Sequence, residues 1–135
     1  MTVGAKTAFR LALCGHKAAE VAGVCLLLMV QGNLFAATAA HVVVAGKTGV
    51  LAVLPALALT YTRRAARLIT NRWSSALFLG VCGFVADATV HQSHYPGAST
   101  EAALTGIGTT AASVLVSYTP LGKRIERLAE HLLST

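Results

Sequence analysis

Residues 21–46 read VAGVCLLLMVQGNLFAATAAHVVVAG and contain no Asp, Glu, Lys or Arg. A helix needs about 20 apolar residues to cross the hydrocarbon core of a bilayer, so this stretch predicts at least one membrane span. The whole chain points the same way, since 55% of its 135 residues are hydrophobic and 12% are charged. A soluble domain usually carries about twice that share of charge. The sequence therefore predicts an all-α integral membrane protein.

Four short spans result when the apolar runs beyond this stretch are included. The chain is expected to form a single membrane domain, residues 1–135, with spans at about 20–44, 50–66, 73–90 and 101–118. Pro55 falls inside the second span, where neighbouring helices can satisfy the backbone carbonyl that proline frees. The fourth span is rich in Thr, Gly, Ala and Ser, which let helix backbones approach closely. We therefore expect a bundle of four transmembrane helices with the fourth buried among its neighbours.

The two ends of the chain have the pattern of helices that lie on a membrane surface. Residues 1–17 are basic and place Phe9 and Leu13 four apart, as on one face of a short helix. At the other end, Pro120 begins a segment of about residues 120–133 whose large apolar residues share one face. These are Leu121, Ile125, Leu128 and Leu132. An amphipathic interfacial helix is the expected structure of this tail.

The distribution of basic residues predicts the orientation. With the N-terminus in the cytoplasm, ten of the eleven Lys and Arg residues lie in cytoplasmic segments, and only Lys47 lies outside. Basic residues concentrate on the cytoplasmic side of membrane proteins, so both termini are expected to be cytoplasmic. A bacterial inner membrane is the expected location, where the basic segments contact anionic lipids. This placement accounts for the net charge of +6.

One alternative reading of the N-terminus stays open. The basic start, the apolar residues 21–30 and the small residues 36–40 together imitate a cleaved secretory leader. Forty residues is long for a leader, and the apolar run continues to Val44. The expected structure therefore keeps this region as a span.

Ligand-type side chains cluster at the predicted outer face. Asp87 and His91 lie four apart on one helix face, and His94, Glu101 and His41 fall at the same predicted depth. Imidazole and carboxylate together suit zinc or a related divalent ion, and the same pair of groups can hold a proton. The competing interpretation is ordinary loop polarity, except at Asp87. A carboxylate inside a span is costly unless it is protonated, paired or facing water.

Two further polar residues, Gln31 and Asn33, fall near the middle of the first predicted span. They are expected either to form hydrogen bonds between helices or to line a pore. Near the inner end of that span, Glu20 is expected to pair with Lys17 or to lie in the wet interface.

No catalytic or nucleotide-binding motif occurs, so the chain is not expected to be an enzyme or to carry a cofactor. Aromatic residues make up 6% of the chain, which leaves little material for stacking nucleic-acid bases. The leading hypothesis is an accessory or assembly subunit that acts through helix–helix contacts with partner membrane proteins or with copies of itself. The alternatives are an oligomeric pore, holin-like or small-solute carrier protein, and a membrane metal-binding protein built on the outer cluster.

Overall fold

The protein is described here by a computed structural model that covers residues 3–62, 68, 71–90 and 98–134. Within these ranges the chain forms helices and no strand, as the all-α prediction requires. In the described ranges, the longer α-helices are α1 Val3–Met29, α2 Ala39–Leu59, α3 Arg72–Val90, α4 Ala98–Ser117 and α5 Pro120–Ser134. A short 3-10 helix, Leu34–Ala36, lies between α1 and α2.

Three of these helices, α1, α2 and α3, are long and apolar enough to cross a membrane. Their outward faces carry large apolar side chains that are mostly exposed, such as Val50, Leu77 and Val81. Inside, the core consists mainly of small residues, among them Ala52, Ala86 and Cys14. Large apolar residues outside and small or polar residues inside are the arrangement expected when lipid is the solvent. The chain is therefore a membrane protein with several candidate spans.

The structure divides the predicted first span, residues 20–44, between two helices. Residues 1–17 were expected as a separate surface segment, but from Val3 they continue directly into the span, and this helix ends at Met29. The chain then turns at Gln31 and Gly32, whose φ angles are 53° and 82°. Gly32 adopts this left-handed conformation without steric cost. Membrane spans and uncharged turns both lack charged residues. The uncharged stretch 21–46 therefore did not reveal the break between α1 and α2.

A capping box starts α2 after this turn. The Thr38 side chain accepts a hydrogen bond from the backbone N–H of His41 at 3.3 Å, and His41 Nδ1 accepts one from the Thr38 N–H at 3.1 Å. Each of these bonds satisfies a backbone donor that the first helical turn leaves without a partner. Local turn chemistry therefore fixes where α2 begins.

The four long helices pack side by side, with α1 against α2 and α4, and α3 against α2 and α4. Glycines bring α3 and α4 together backbone to backbone. A Cβ atom added to Gly80 would lie 2.9 Å from the Gly106 carbonyl oxygen, and one added to Gly106 would lie 2.9 Å from the Gly80 carbonyl oxygen. Gly80 also lies against Thr110, whereas Asp87, further along α3, contacts Thr105 near the start of α4, so the two helices run antiparallel. Such close approach strengthens van der Waals contact between helices in lipid.

The last helix, α5, matches the segment predicted at 120–133 and folds back against the other helices. Gly122 lies against the carbonyl of Val116, and Ala129 is 3% exposed. Arg72, the first residue of α3, stacks on the ring of Tyr118 at 4.0 Å and places its Nε 3.7 Å from Glu126 Oε1. These contacts hold α5 beside the ends of α3 and α4.

Candidate functional site

A row of hydroxyl side chains lies buried along one face of α4. It consists of Thr105, Thr109, Ser113 and Ser117, which follow one another at intervals of four residues. Residues at this spacing occupy the same helix face. Each of the four is at most 7% exposed, and Thr105 and Thr109 are completely buried. We call these four residues the hydroxyl row.

A buried carboxylate joins the row at Thr105. Asp87 on α3 is 1% exposed, and its Oδ2 accepts a hydrogen bond of 2.5 Å from Thr105 Oγ1. Thr48 on α2 and Cys25 on α1 are also completely buried and interact with each other, and Cys25 lies within electrostatic range of Asp87 and Glu101. Three helices besides α4 therefore contribute polar atoms to this end of the row.

A second carboxylate lies near the other end, on α1. The Glu20 side chain is 5% exposed, with His16 Nε2 3.1 Å from one of its oxygens and Lys17 Nζ 3.5 Å from the other. The same Lys17 Nζ donates a hydrogen bond of 3.4 Å to Ser113 Oγ. The predicted pairing of Glu20 with Lys17 is confirmed, and the lysine connects this ion pair to the hydroxyl row.

Some of these buried groups have incomplete hydrogen bonding within the described part of the chain. The oxygens of Glu20 lie at ion-pair distance from His16 and Lys17, yet neither accepts a well-directed hydrogen bond from a protein atom. The Thr109 hydroxyl has no protein partner. A buried polar group without a partner usually costs about 1 to 3 kcal/mol, so an apolar replacement would be more stable. Polar groups retained at such a cost inside a membrane protein are candidates for function.

A cavity lies beside the end of the row formed by Ser113 and Ser117, between α1, α3, α4 and α5. Its polar wall includes His16, Lys17, Arg72, Ser113 and Glu126. Arg72 Nε and Glu126 Oε1 are buried without a well-directed partner although they lie 3.7 Å apart. Apolar side chains such as Leu13 and Ile125 complete the wall, and the mixture of donors and acceptors on the polar side can bind water.

The outer cluster predicted from the sequence is described only in part. His91 and His94 lie outside the described residues, so their pairing with Asp87 stays a prediction. Glu101 lies in the first turn of α4 and is partly buried. His41 uses its Nδ1 to cap α2. Among the residues that the structure describes, no group of three or more His, Cys, Asp or Glu side chains is arranged to hold a metal ion.

Gln31 and Asn33 lie in the connection between α1 and α2, not in the middle of a span. Both are exposed, and the Asn33 side chain accepts a hydrogen bond from the Phe35 N–H at 3.2 Å. These two polar residues therefore belong to the turn that connects α1 with α2. The buried polar residues of the interior lie elsewhere, mainly on α4.

Sequence reasoning expected α4 to be buried and rich in hydroxyls, but it did not identify the row or its link to Lys17. The four-residue spacing from Thr105 to Ser117 was the available signal.

Comparison with protein-family models, with curated proteins and with solved structures finds no match for this chain.

Proposed function

We propose that this protein is a small carrier or channel whose interior transfers protons or small monovalent cations across a membrane. The observation that supports this proposal is the hydroxyl row, which extends between two buried carboxylates, Asp87 and Glu20. An ionised side chain at the centre of a membrane helix costs about 2.5 to 3.5 kcal/mol on insertion scales. A bundle that needed only stability would fill these positions with apolar residues.

The chemistry of the row suits positive charge or protons. Each hydroxyl has one donor hydrogen and two acceptor lone pairs, so it can receive a proton on one side and give one on the other. A carboxylate at each end supplies a group that can take up and release a proton. No solute-sized opening is required for this kind of transfer.

The proposal includes four spans, with both termini in the cytoplasm of a bacterium. α4 has 20 residues, about 30 Å at 1.5 Å per residue, which equals the hydrocarbon thickness of a bilayer. It packs antiparallel to α3 along its length, which supports its assignment as the fourth span although its inward face is polar. In this arrangement Glu20 lies toward the cytoplasm and Asp87 toward the outside, and α5 lies at the cytoplasmic surface.

A topology experiment tests this arrangement. Reporters fused after Thr135 and inserted within residues 63–72 should give a cytoplasmic signal, and a reporter within residues 94–99 should give an external one. The expectation follows from the distribution of basic residues. Alkaline phosphatase and green fluorescent protein fusions at each position provide opposite readouts, so each serves as the control for the other. An external signal from residues 63–72 would contradict the proposed orientation.

Proton transfer is tested with purified protein in liposomes that enclose a pH-sensitive dye. The wild type should acidify the lumen after an external acid pulse, in the presence of a potassium ionophore that compensates charge. Asp87→Asn should slow this flux by at least about tenfold, because the amide cannot exchange a proton while it still accepts a bond from Thr105. The initial rate per inserted protein is the measured quantity.

Glu130→Gln is the matched control, since it removes one carboxylate from an exposed position on α5. Its flux should equal that of the wild type. A wild-type flux no faster than that of empty liposomes, with cation uptake also at background, would refute the transport function. Equal flux in the wild type and Asp87→Asn would remove Asp87 from the path.

An accessory role remains the second candidate, and one surface favours it. An apolar groove between α2 and α3 is lined by Leu51, Pro55, Val81, Val85 and Thr89 on the outward side of the helices. A groove of this kind can receive a helix of a partner membrane protein or of a second copy of this chain.

Single cysteines at Val81 and Val85, placed in a variant without native cysteines, would report such contacts by crosslinking in the native membrane. A specific crosslink together with absent flux would favour the accessory role.

A further inference from the structure

The Lys17 ammonium occupies the position in the interior where a dissolved cation would bind. Its Nζ lies 3.5 Å from Glu20 Oε2 and 3.4 Å from Ser113 Oγ. A carboxylate and a hydroxyl are oxygen ligands of the kind that bind hard cations. The lysine side chain is 17% exposed and that of Glu20 is 5% exposed, so the pair is mostly removed from water. The protein thus supplies its own cation at this point.

We propose that Lys17 makes the path selective for protons over metal cations such as Na⁺ and K⁺, an inference that rests on the proposed transport function. To pass, a metal ion would have to displace the ammonium from Glu20 and Ser113. The displaced ammonium would then be a buried charge without its partner, which is strongly unfavourable. Lys17 is covalently attached and cannot leave, so it competes at a high local concentration.

A proton does not have to displace the ammonium, because it moves from group to group, and Lys17 keeps its contact with Ser113 during the short time in which Glu20 is neutral. A protonated His16 gives a proton to the Glu20 carboxylate, which becomes a neutral acid. The proton passes next to Ser113, and each hydroxyl of the row accepts one proton and releases one until Asp87 is protonated. Consecutive members of the row are four residues apart, a rise of about 6 Å, so this transfer needs a water molecule between neighbouring hydroxyls. One proton enters at His16 and one leaves from Asp87, so atoms and charge balance.

The experiment compares proton and sodium uptake into the same proteoliposomes. Wild-type protein should acidify the lumen in a medium whose only other cation is N-methylglucamine, with permeant anions to compensate charge. Under a sodium gradient at equal pH, sodium-22 uptake should equal that of empty liposomes. Lys17→Gln should raise sodium uptake at least about tenfold above the wild type, because Glu20 and Ser113 become available to a dissolved cation. Lys17→Arg keeps a tethered cation, so its sodium uptake should stay at background.

The outcomes separate this inference from the proposed function. Proton uptake accompanied by comparable sodium uptake in the wild type would overturn the selectivity and leave transport intact. Absence of both fluxes would overturn transport and, with it, the selectivity. If Lys17→Gln inserts and still conducts protons but takes up no sodium, Lys17 is not the selectivity residue. If that variant does not fold, the wild-type comparison and Lys17→Arg decide, since sodium uptake by either one contradicts the proposal.

Discussion

Replacing Gly80 by valine should leave little folded protein in the membrane. A Cβ at this position would lie 2.9 Å from the Gly106 backbone carbonyl and would overlap the Thr110 side chain. The carbonyl belongs to a helix backbone and cannot rotate away, so α3 and α4 would have to separate. Overpacking typically costs about 1 to 3 kcal/mol, and the rigid neighbour places this substitution at or above the upper end of that range. Thermal unfolding in detergent, followed by size-exclusion chromatography, measures the loss.

Gly23→Val is the control for this substitution. Gly23 lies on an exposed face of α1, and a Cβ there would meet nothing within 4 Å. The same side chain is added to a similar helix, so any difference between the two variants arises from the contact with α4. Equal unfolding temperatures for Gly80→Val and Gly23→Val would show that α3 and α4 do not meet at these glycines.

Replacing Glu20 by alanine should destabilise the protein by roughly 3 kcal/mol, the lower end of the range for removing one partner of a buried ion pair. The Lys17 ammonium would lose its carboxylate while it remains largely buried, with 17% of its side chain exposed. Lys17→Gln should cost less, because the carboxylate left behind still has His16 at 3.1 Å and can take up a proton. Chemical unfolding in detergent micelles gives the free energies.

The double variant Glu20→Ala, Lys17→Gln completes this test. It removes both charges, so the double variant should be destabilised by clearly less than the sum of the losses caused by Glu20→Ala and Lys17→Gln. Residues in direct contact give non-additive changes of this kind. Additive losses would mean that Glu20 and Lys17 do not stabilise each other.

Much of the architecture was available from hydropathy and charge. Helix α3, Arg72–Val90, agrees with the predicted span 73–90, and α4 and α5 lie within a few residues of their predicted bounds. Charged residues or a proline separate these segments, so their boundaries can be recognised in the sequence. The Glu20–Lys17 pair was also predictable, because its members are three residues apart on one helix.

The break between α1 and α2 was not recognised because lipid-facing segments and apolar turns have similar composition. Gly32, Asn33 and Thr38 carried the signal, as a turn glycine followed by two capping residues. The interior site was harder to predict. Lys17 meets Ser113, and Asp87 meets Thr105, only because whole helices pack together, and helical periodicity holds no information about such distant pairs.

The number of residues between the partners of each pair also determines the order in which these contacts form during synthesis. Lys17 and Ser113 are 96 residues apart, and Asp87 precedes Thr105 by 18. During synthesis Lys17 finds Glu20 as soon as α1 forms, whereas Asp87 enters the membrane before its hydrogen-bond donor has been made. The arrival of α4 therefore completes both of these contacts in a single late step. A ribosome that stalled before residue 105 would leave Asp87 in α3 without the Thr105 hydroxyl that binds it in the folded protein.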